Sequence, residues 1–326
     1  MESASKQYNE ATARILAGTL TLISREQHEL PAPFCLWYPV LDPKLIKDLA
    51  LDVAFDRSKV LWVDDKHPAM GLIIFHHQDL ETQILGYKTA RLKGPYVVDL
   101  DPISREKTAL SLAAKSRVLA KLENYQFLSV KLPHDPSLIR GFTEAGFVTA
   151  EISTVLEGPI KPQNKGSENT PTPKLGSVIV KSAEEVDLSS LLNQLGDLFY
   201  DGHHLHSPFL PEDFSRKFWN RLTQDGLSRG DIAIFAIDQR NGTALGFAMA
   251  ELIGDFSILS ILHVNEDRRN LGLGSLLMNN LFTRLHQRGG RTIKAETASW
   301  NLPALSLYIS FGLKPRAPLM ALHAKI

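Results

Sequence analysis

The sequence predicts two mixed α/β domains joined by a linker, and three observations predict it. The chain has 326 residues, more than one domain usually holds, and each half is long enough to bury a core of its own. From Lys161 to Ser177 the stretch PQNKGSENTPTPKLGS replaces periodic apolar residues with Pro, Gly, Ser, Thr and Asn for too long to be a turn. On both sides of it, short apolar runs alternate with amphipathic stretches. The expected division is a domain at 1–160, a linker at 161–176 and a domain at 177–326.

In the first half, Lys59–Val63 and Met70–His76 read as strands, Lys107–Lys121 as a helix and Phe127–Leu132 as an apolar strand. The second half opens with a strand at Ser177–Lys181 and helices at Asp187–Tyr200 and Phe214–Thr223. Phe214, Phe218, Trp219 and Leu222 follow helical spacing in the latter. Strands at Ile232–Asp238 and Leu245–Leu252 flank Gln239-Arg240-Asn241-Gly242, whose Asn-Gly pair suits a hairpin. Phe256–Val264 is a further strand. Ser275–Arg288 is a helix that stops at Gly289-Gly290 and buries Leu276, Leu277, Phe282 and Leu285. A strand at Thr292–Thr297 and a short helix at Asn301–Phe311 complete the series.

Composition excludes several classes. Apolar residues make up 44% and charged residues 22%, as in ordinary globular chains. Lys plus Arg and Asp plus Glu are both 36, so no net field would attract nucleic acid. No apolar run approaches the about 20 residues that span a bilayer, and Met1–Thr12 lacks the basic-then-apolar order of a signal peptide. No membrane association and a cytoplasmic location are therefore expected. Cys35, the single cysteine, sits in PAPFCLWYPV and is expected to be a packed apolar side chain.

The chemistry-bearing stretch is HVNEDRRNLGLGSLLMNNL, where a strand passes through Arg269-Asn270-Leu271-Gly272-Leu273-Gly274 into a helix. First-turn amides of a helix have no intrahelical partner and lie at the positive end of its dipole, so they can receive a pyrophosphate. Glycine admits backbone angles that a side chain forbids and lets phosphate oxygens approach. Arg268 and Arg269 can add charge-assisted hydrogen bonds. Downstream, AETASWNLPALSLYISFGL holds Asn301, Ala304, Leu307, Tyr308 and Gly312 in fixed order.

Arg-x-x-Gly-x-Gly followed by Asn-x-x-Ala-x-x-Leu-Tyr-x-x-x-Gly-Leu resembles the two signature segments of the GNAT N-acetyltransferases, over Ser177–Ile326. The resemblance implies a mixed, mostly antiparallel central sheet flanked by helices, with acetyl-CoA as co-substrate. It implicates Leu262 and Val264 on the strand before the loop, Arg269, Asn270, Leu271, Gly272, Leu273, Gly274 and Ser275 at the pyrophosphate, and Asn301 in the second segment. It makes Tyr308 the general acid for the departing thiolate, a role that suits a phenol neutral at pH 7.

Two first-half segments, HHQDLETQILGYKTARLKG and FLSVKLPHDPSLIRGFTEAGF, are similar to the N-terminal domain of the two-domain GNAT proteins of the TDP-fucosamine acetyltransferase type. Gly86, Tyr87, Lys88, Ala90 and Arg91 carry that likeness, whereas Leu80-Glu81-Thr82-Gln83 departs from it. The first domain has no glycine loop of its own and reads as a degenerate GNAT-like copy. Its Glu144-Ala145-Gly146-Phe147 resembles Ser310-Phe311-Gly312-Leu313.

The His203–Pro211 loop offers His204 and His206 for acceptor binding or proton relay. No metal is expected, because no carboxylate or cysteine completes the set at a usual spacing. The general base is open among Glu251, Asp255 and Glu296, with Glu251 the leading choice. The expected partner is a small-molecule primary amine, with an amino sugar or its nucleotide as the finer expectation. A protein or amino-acid amine and a non-catalytic acyl-CoA sensor are the alternatives, and the sequence leaves a homodimer open.

Overall fold

The computed structural model describes residues 58–62, 71–97, 101–161, 178–188 and 206–326, with Arg14, Ala17, Leu191 and His204 besides. The first half contains β1 (Ser58–Trp62), β2 (Gly71–His77), α1 (Asp79–Leu85), β3 (Thr89–Val97), α2 (Pro102–Leu122), β4 (Phe127–Pro133), α3 (Pro136–Glu144) and β5 (Val148–Pro159). The second contains β6 (Val178–Ser182), α4 (Phe214–Arg229), β7 (Ile232–Asp238), β8 (Ala244–Ile253), β9 (Phe256–Val264), α5 (Leu273–Gln287), β10 (Thr292–Ala298), α6 (Leu302–Ser310) and β11 (Lys314–Lys325). Cys35, His203, residues 162–177 of the linker stretch and most of the helix expected at Asp187–Tyr200 lie outside the described residues.

The chain forms two compact units that do not follow the linear division. One holds the chain up to Ile152 with His206–Pro211 and Ala317–Ile326, and the other holds Ser153–Leu205 and Glu212–Arg316. The expected boundary at 160 therefore moves to 152, and the last ten residues join the first unit. Hydrogen bonding is the reason: β5 pairs with β10 from Ser153 to Pro159, and β11 pairs with β4 from Leu319 to Lys325.

In the first unit the strand order is β1-β2-β3-β4-β11, with β3 and β4 parallel and the other neighbours antiparallel. The α2 helix makes the crossover between the parallel pair, as a parallel connection requires. Ile73, Leu92, Leu112, Leu128, Leu132, Phe142 and Leu322 form its core. Both helix starts are closed by carboxylates. Asp101 caps α2 by accepting from the Ser104 amide at 2.8 Å, and Asp135 caps α3 while pairing with Arg105 at 2.7 Å.

In the second unit the order is β5-β10-β9-β8-β7-β6, and β9 and β10 are the parallel pair, joined through α5. The α5 helix buries Leu273, Leu277, Met278, Leu281, Phe282 and Leu285 against one sheet face, with Leu276 half-buried. On the other face Phe235, Phe247, Met249 and Ile261 form a second core that Trp219 and Leu227 of α4 join.

Apart from α1, inserted between β2 and β3, the run β2-β3-α2-β4-α3 recurs as β8-β9-α5-β10-α6. The turns after α3 and α6 agree in detail. Gly146 and Gly312 have φ of 87° and 83°, and the following residues donate back to the carbonyls of Phe142 and Tyr308 at 3.1 Å.

Two outcomes follow for stability. A fragment starting at Ser177 loses β5, with fully buried Leu156 and the ladder along β10. Its melting temperature should fall on the order of 10 °C below that of a fragment starting at Ser153, as differential scanning calorimetry would register. His323 on β11 is fully buried edge-on to Phe127, and burial, with Arg91 and Lys131 nearby, pushes its pKa down to about 3. Its native form stays neutral while the unfolded chain takes up a proton below about 6.5, so this stability is present above that pH and lost as pH falls towards 3. In denaturant titrations at pH 4–6.5, His323→Phe should flatten the pH dependence by up to ~1.4 kcal/mol per unit.

Candidate functional site

The site begins with a register change. Along β9 the pairing with β8 steps from Met249↔Ile261 to Ala250↔Leu259, which leaves Ser260 as a bulge. Leu259 packs into the α5-side core, Ile261 into the opposite one, and Leu262 and Val264 return to the α5 side. The parallel pairing of β9 with β10 runs from Phe256↔Thr292 only as far as Leu259↔Ala295. Beyond it β9 stays with β8 up to Gly246↔Val264, while β10 stays with β5 through Thr154 and Ser153. The two parallel strands therefore part, leaving a wedge between residues 260–264 and 296–298.

The backbone groups that line the wedge can be assigned. The Asn265 amide donates to the Leu245 carbonyl at 2.9 Å, which makes His263/Phe247 and Ile261/Met249 the hydrogen-bonded pairs of this antiparallel ladder. Leu262 and Val264 accordingly turn their N–H and C=O groups away from β8, into the wedge. A Cβ at Gly246 would lie 2.4 Å from the His263 carbonyl oxygen, so glycine there lets β8 support β9 closely.

The glycine loop follows directly. Asn270 has φ of 62° and Gly272, the N-cap of α5, has φ of 88° with no side chain capping the helix. The first helical bond is Leu276 N–H to the Gly272 carbonyl at 3.0 Å, so the amides of Leu273, Gly274 and Ser275 precede it. Gly274 serves a different need from Gly272, since a Cβ there would meet Leu307 of α6 at 3.0 Å. Arg268 pairs with Asp267 at 2.9 Å, and Arg269 Nε donates to the Val264 carbonyl at 3.3 Å, which ties the loop to the end of β9.

Asn301 caps α6, its side-chain oxygen accepting from the Ala304 amide at 3.2 Å. Seven residues on, Tyr308 is buried in the α5-side core, and burial raises its phenol pKa. Among the described residues no group hydrogen-bonds its hydroxyl. The height of α6 is set by Gly158 on β5, where a Cβ would come within 2.7 Å of the Gly312 carbonyl oxygen.

The three carboxylate candidates separate. Glu251 pairs with Ile258, two residues before the wedge opens at Ser260, so it lies about 7 Å from the near end of the wedge and about 16 Å from the far end at the usual rise. There it lines a shallow groove of about 350 Å³ with Arg229, Asp231 and Arg288. This register sets Glu251, the expected base, just outside the wedge, whereas Glu296 stands at its mouth. Asp255 sits in the β8–β9 turn, its carbonyl accepting from Arg291 and Thr292 at 2.7 and 3.2 Å. Glu296 is the first residue of β10 past the last paired one. Its neighbour Ala295 packs under α5, so Glu296 faces the other side, where Ser153 Oγ donates to Oε1 at 2.6 Å.

The histidines do not act together. His204 is buried, edge-on to Phe214 and Phe218 at 5.1 and 4.4 Å, whereas His206 is exposed and belongs to the other unit. A histidine that sequence reasoning passed over is His263, nearly buried on β9 on the Ile261 side. Burial, then Arg269, pushes its pKa down to about 4. In the first unit the Gly86–Arg91 segment is structural: Gly86 ends α1 with φ of 74°, and Arg91 pairs with buried Glu81 at 3.0 Å.

Equivalent positions in the first unit carry no such chemistry. Asp101 fills the helix start that Gly272 leaves open, Phe142 stands at the position of Tyr308, and Lys131, the first β4 residue past Leu92↔Val130, stands at the position of Glu296. Among the described residues no group of three His, Cys, Asp or Glu side chains is placed to hold a metal, and no helix is long and apolar enough to cross a membrane.

The profile of the acetyltransferase (GNAT) family matches residues 199–313. Over 73 residues, 22% of this chain and 49% of the relative, the sequence is 33% identical to the ribosomal protein bS18-alanine N-acetyltransferase of Escherichia coli (strain K12). The chain thus spans about half the length of the curated relatives it matches. A tandem GNAT protein from the clavulanic acid biosynthesis pathway is similar in structure, with TM-score 0.59 and 14% identity over 96% of this chain and 95% of that one. So is a GCN5-related N-acetyltransferase from Sphaerobacter thermophilus, with TM-score 0.61 and 12% identity over 85% of each chain. At these identities the likeness to solved structures is one of fold. The parted strands, the open helix start and the family profile fall on the same stretch, so the match to the GNAT acetyltransferase family rests on residues 199–313.

Proposed function

We propose that this chain is an acetyl-CoA-dependent N-acetyltransferase whose acceptor is the primary amine of a small molecule. The observation that carries the reading is the wedge beside an uncapped helix start: the Leu262 backbone and the Val264 N–H turned away from β8, followed by the first-turn amides of Leu273, Gly274 and Ser275. A pyrophosphate suits the amides of Leu273, Gly274 and Ser275, and an amide-bearing arm suits the Leu262 and Val264 backbone. Acetyl-CoA, when bound, supplies an acetyl group activated as a thioester.

Leu262 and Val264 offer N–H groups to the oxygen that becomes negative as the amine adds to the carbonyl. Glu296 takes the proton that the attacking nitrogen loses, and Tyr308 gives one to the sulfur as the C–S bond breaks. Burial suits Tyr308 to this, because its phenol keeps the proton across the physiological range and yields it only to a base as strong as a desolvated thiolate. The base lies on one sheet face and the acid under α5 on the other, so Glu296 does not strip Tyr308 of its proton before turnover. A small amine is favoured over a protein tail by the neutral overall charge. An amino sugar or its nucleotide is the finer proposal. The likeness of the first half to sugar-nucleotide enzymes supports it only in sequence, since Arg91 is engaged by Glu81.

Thiol release with a panel of amino sugars, nucleotide amino sugars, polyamines, amino acids and peptides tests the reading. Turnover confined to peptide N-termini would replace the acceptor class, and none with any amine would leave a binding protein. Tyr308→Phe should keep acetyl-CoA affinity while kcat falls by roughly 10²–10⁴, with an unchanged rate-limiting chemical step refuting the role. Ser275→Glu places a carboxylate at the third helical position. It should raise the stability of the free protein by about 0.3–1 kcal/mol while removing the acetyl-CoA-dependent rise in melting temperature. An intact rise would refute the pyrophosphate assignment.

A further inference from the structure

We infer that Ser153 is a positioning residue for acetyl transfer: a hydroxyl brought by β5 from the first half of the chain that holds Glu296 at the mouth of the wedge. The inference rests on the reading of the site given above.

Ser153 is 4% exposed, and its hydroxyl donates to Glu296 Oε1 at 2.6 Å, the length of a charge-assisted O–H···O⁻ bond. The bond is not needed for the strand ladder, since backbone register already fixes β5 on β10 through Ser153↔Ala298 and Val155↔Glu296. Its partner stands where β10 leaves β9, the first of the three β10 residues that line the wedge. Thr154, on the opposite face of β5, spends its hydroxyl on Ser299 at 2.8 Å, so the two neighbours brace both sides of the strand end.

Charged and titratable groups also adjoin Glu296. On β10 the same face carries Lys294, which lies opposite Glu157 of β5, and Glu157 is 3.6 Å from Arg316. Glu151 precedes Ser153 on β5, His263 on β9 is neutral, and Tyr308 of α6 lies under the other face. Donation by Ser153 favours the ionised carboxylate, the form a base needs, and fixes its rotamer by engaging one oxygen. The first half of the chain, inert in its own unit, thereby contributes a side chain to the reaction.

The test uses the full chain with Ser153→Ala and Ser153→Thr. Alanine should lower kcat about tenfold and move the acid limb of kcat/KM up by about half a unit or more, because the protonated carboxyl is no longer disfavoured. Acetyl-CoA-dependent stabilisation should stay unchanged, and threonine should restore both kinetic readings. A carbon-detected NMR titration of the glutamate carboxyls, assigned with Glu296→Gln, should show the same upward shift without turnover. An active wild type whose limb and titration do not move in Ser153→Ala overturns the inference alone, as does a rate loss matched by lost acetyl-CoA binding. A wild type that turns over no amine overturns the transfer reading and this role with it, whatever the titration shows.

Discussion

The arrangement of the second unit depends on the parting of two parallel strands. Parallel neighbours normally continue side by side until one ends, because each unpaired buried amide or carbonyl costs about 1–3 kcal/mol. Here β9 and β10 separate after Leu259↔Ala295 although both continue, and each remains anchored on its far side, to β8 and to β5. The Ser260 bulge makes this tolerable. It returns Leu262 and Val264 to the α5 side, where they keep apolar contact while their backbone groups face the gap. The polar groups left over are a linear set of donors and acceptors held by a rigid sheet, which is what an extended, amide-containing molecule can satisfy.

The first unit shows what the scaffold does without these choices. Its parallel pair also stops early, at Leu92↔Val130, and its crossover helix also begins beside the strand ends. Yet Asp101 supplies from within the chain the negative charge that α5 leaves to be supplied from outside, and Pro102 removes one of the free amides. The Arg105–Asp135 pair ties the starts of α2 and α3 together. Phe142 keeps the ring of Tyr308 and drops its hydroxyl. Packing is retained and chemistry is lost, through a few side chains on a common backbone plan.

What could be read from sequence was whatever is local. Phe256–Val264 matched its strand to the residue, and the glycine loop was visible because a positive φ at Gly272 needs a residue without a Cβ. The strands β3, β5 and β11 were not identified. Gly94-Pro95 interrupts β3, Pro315 and Pro318 fall within β11, and β5 alternates short polar and apolar residues with no turn signal until Gly158. Partner choice is also nonlocal, which is why the boundary near 160 and the chain end were assigned to the wrong neighbours. Glu251 and Glu296 look alike as carboxylates on strands. Only register tells which end of the sheet each occupies, and register between strands forty residues apart is not written in either.

The exchange of closing strands also bears on how each half depends on the other. β5 forms the end strand of the second sheet beside β10, buries Leu156 in the core that holds Tyr308, and through Gly158 admits the turn at Gly312 that ends α6. Loss of that strand would leave β10 as an edge and loosen the helix carrying Tyr308, without touching a residue of the glycine loop. In return β11 closes the first sheet and buries Leu322 and Ala324 there. Each half is folded around a strand encoded by the other, so drift in the first half is limited by the geometry of the second.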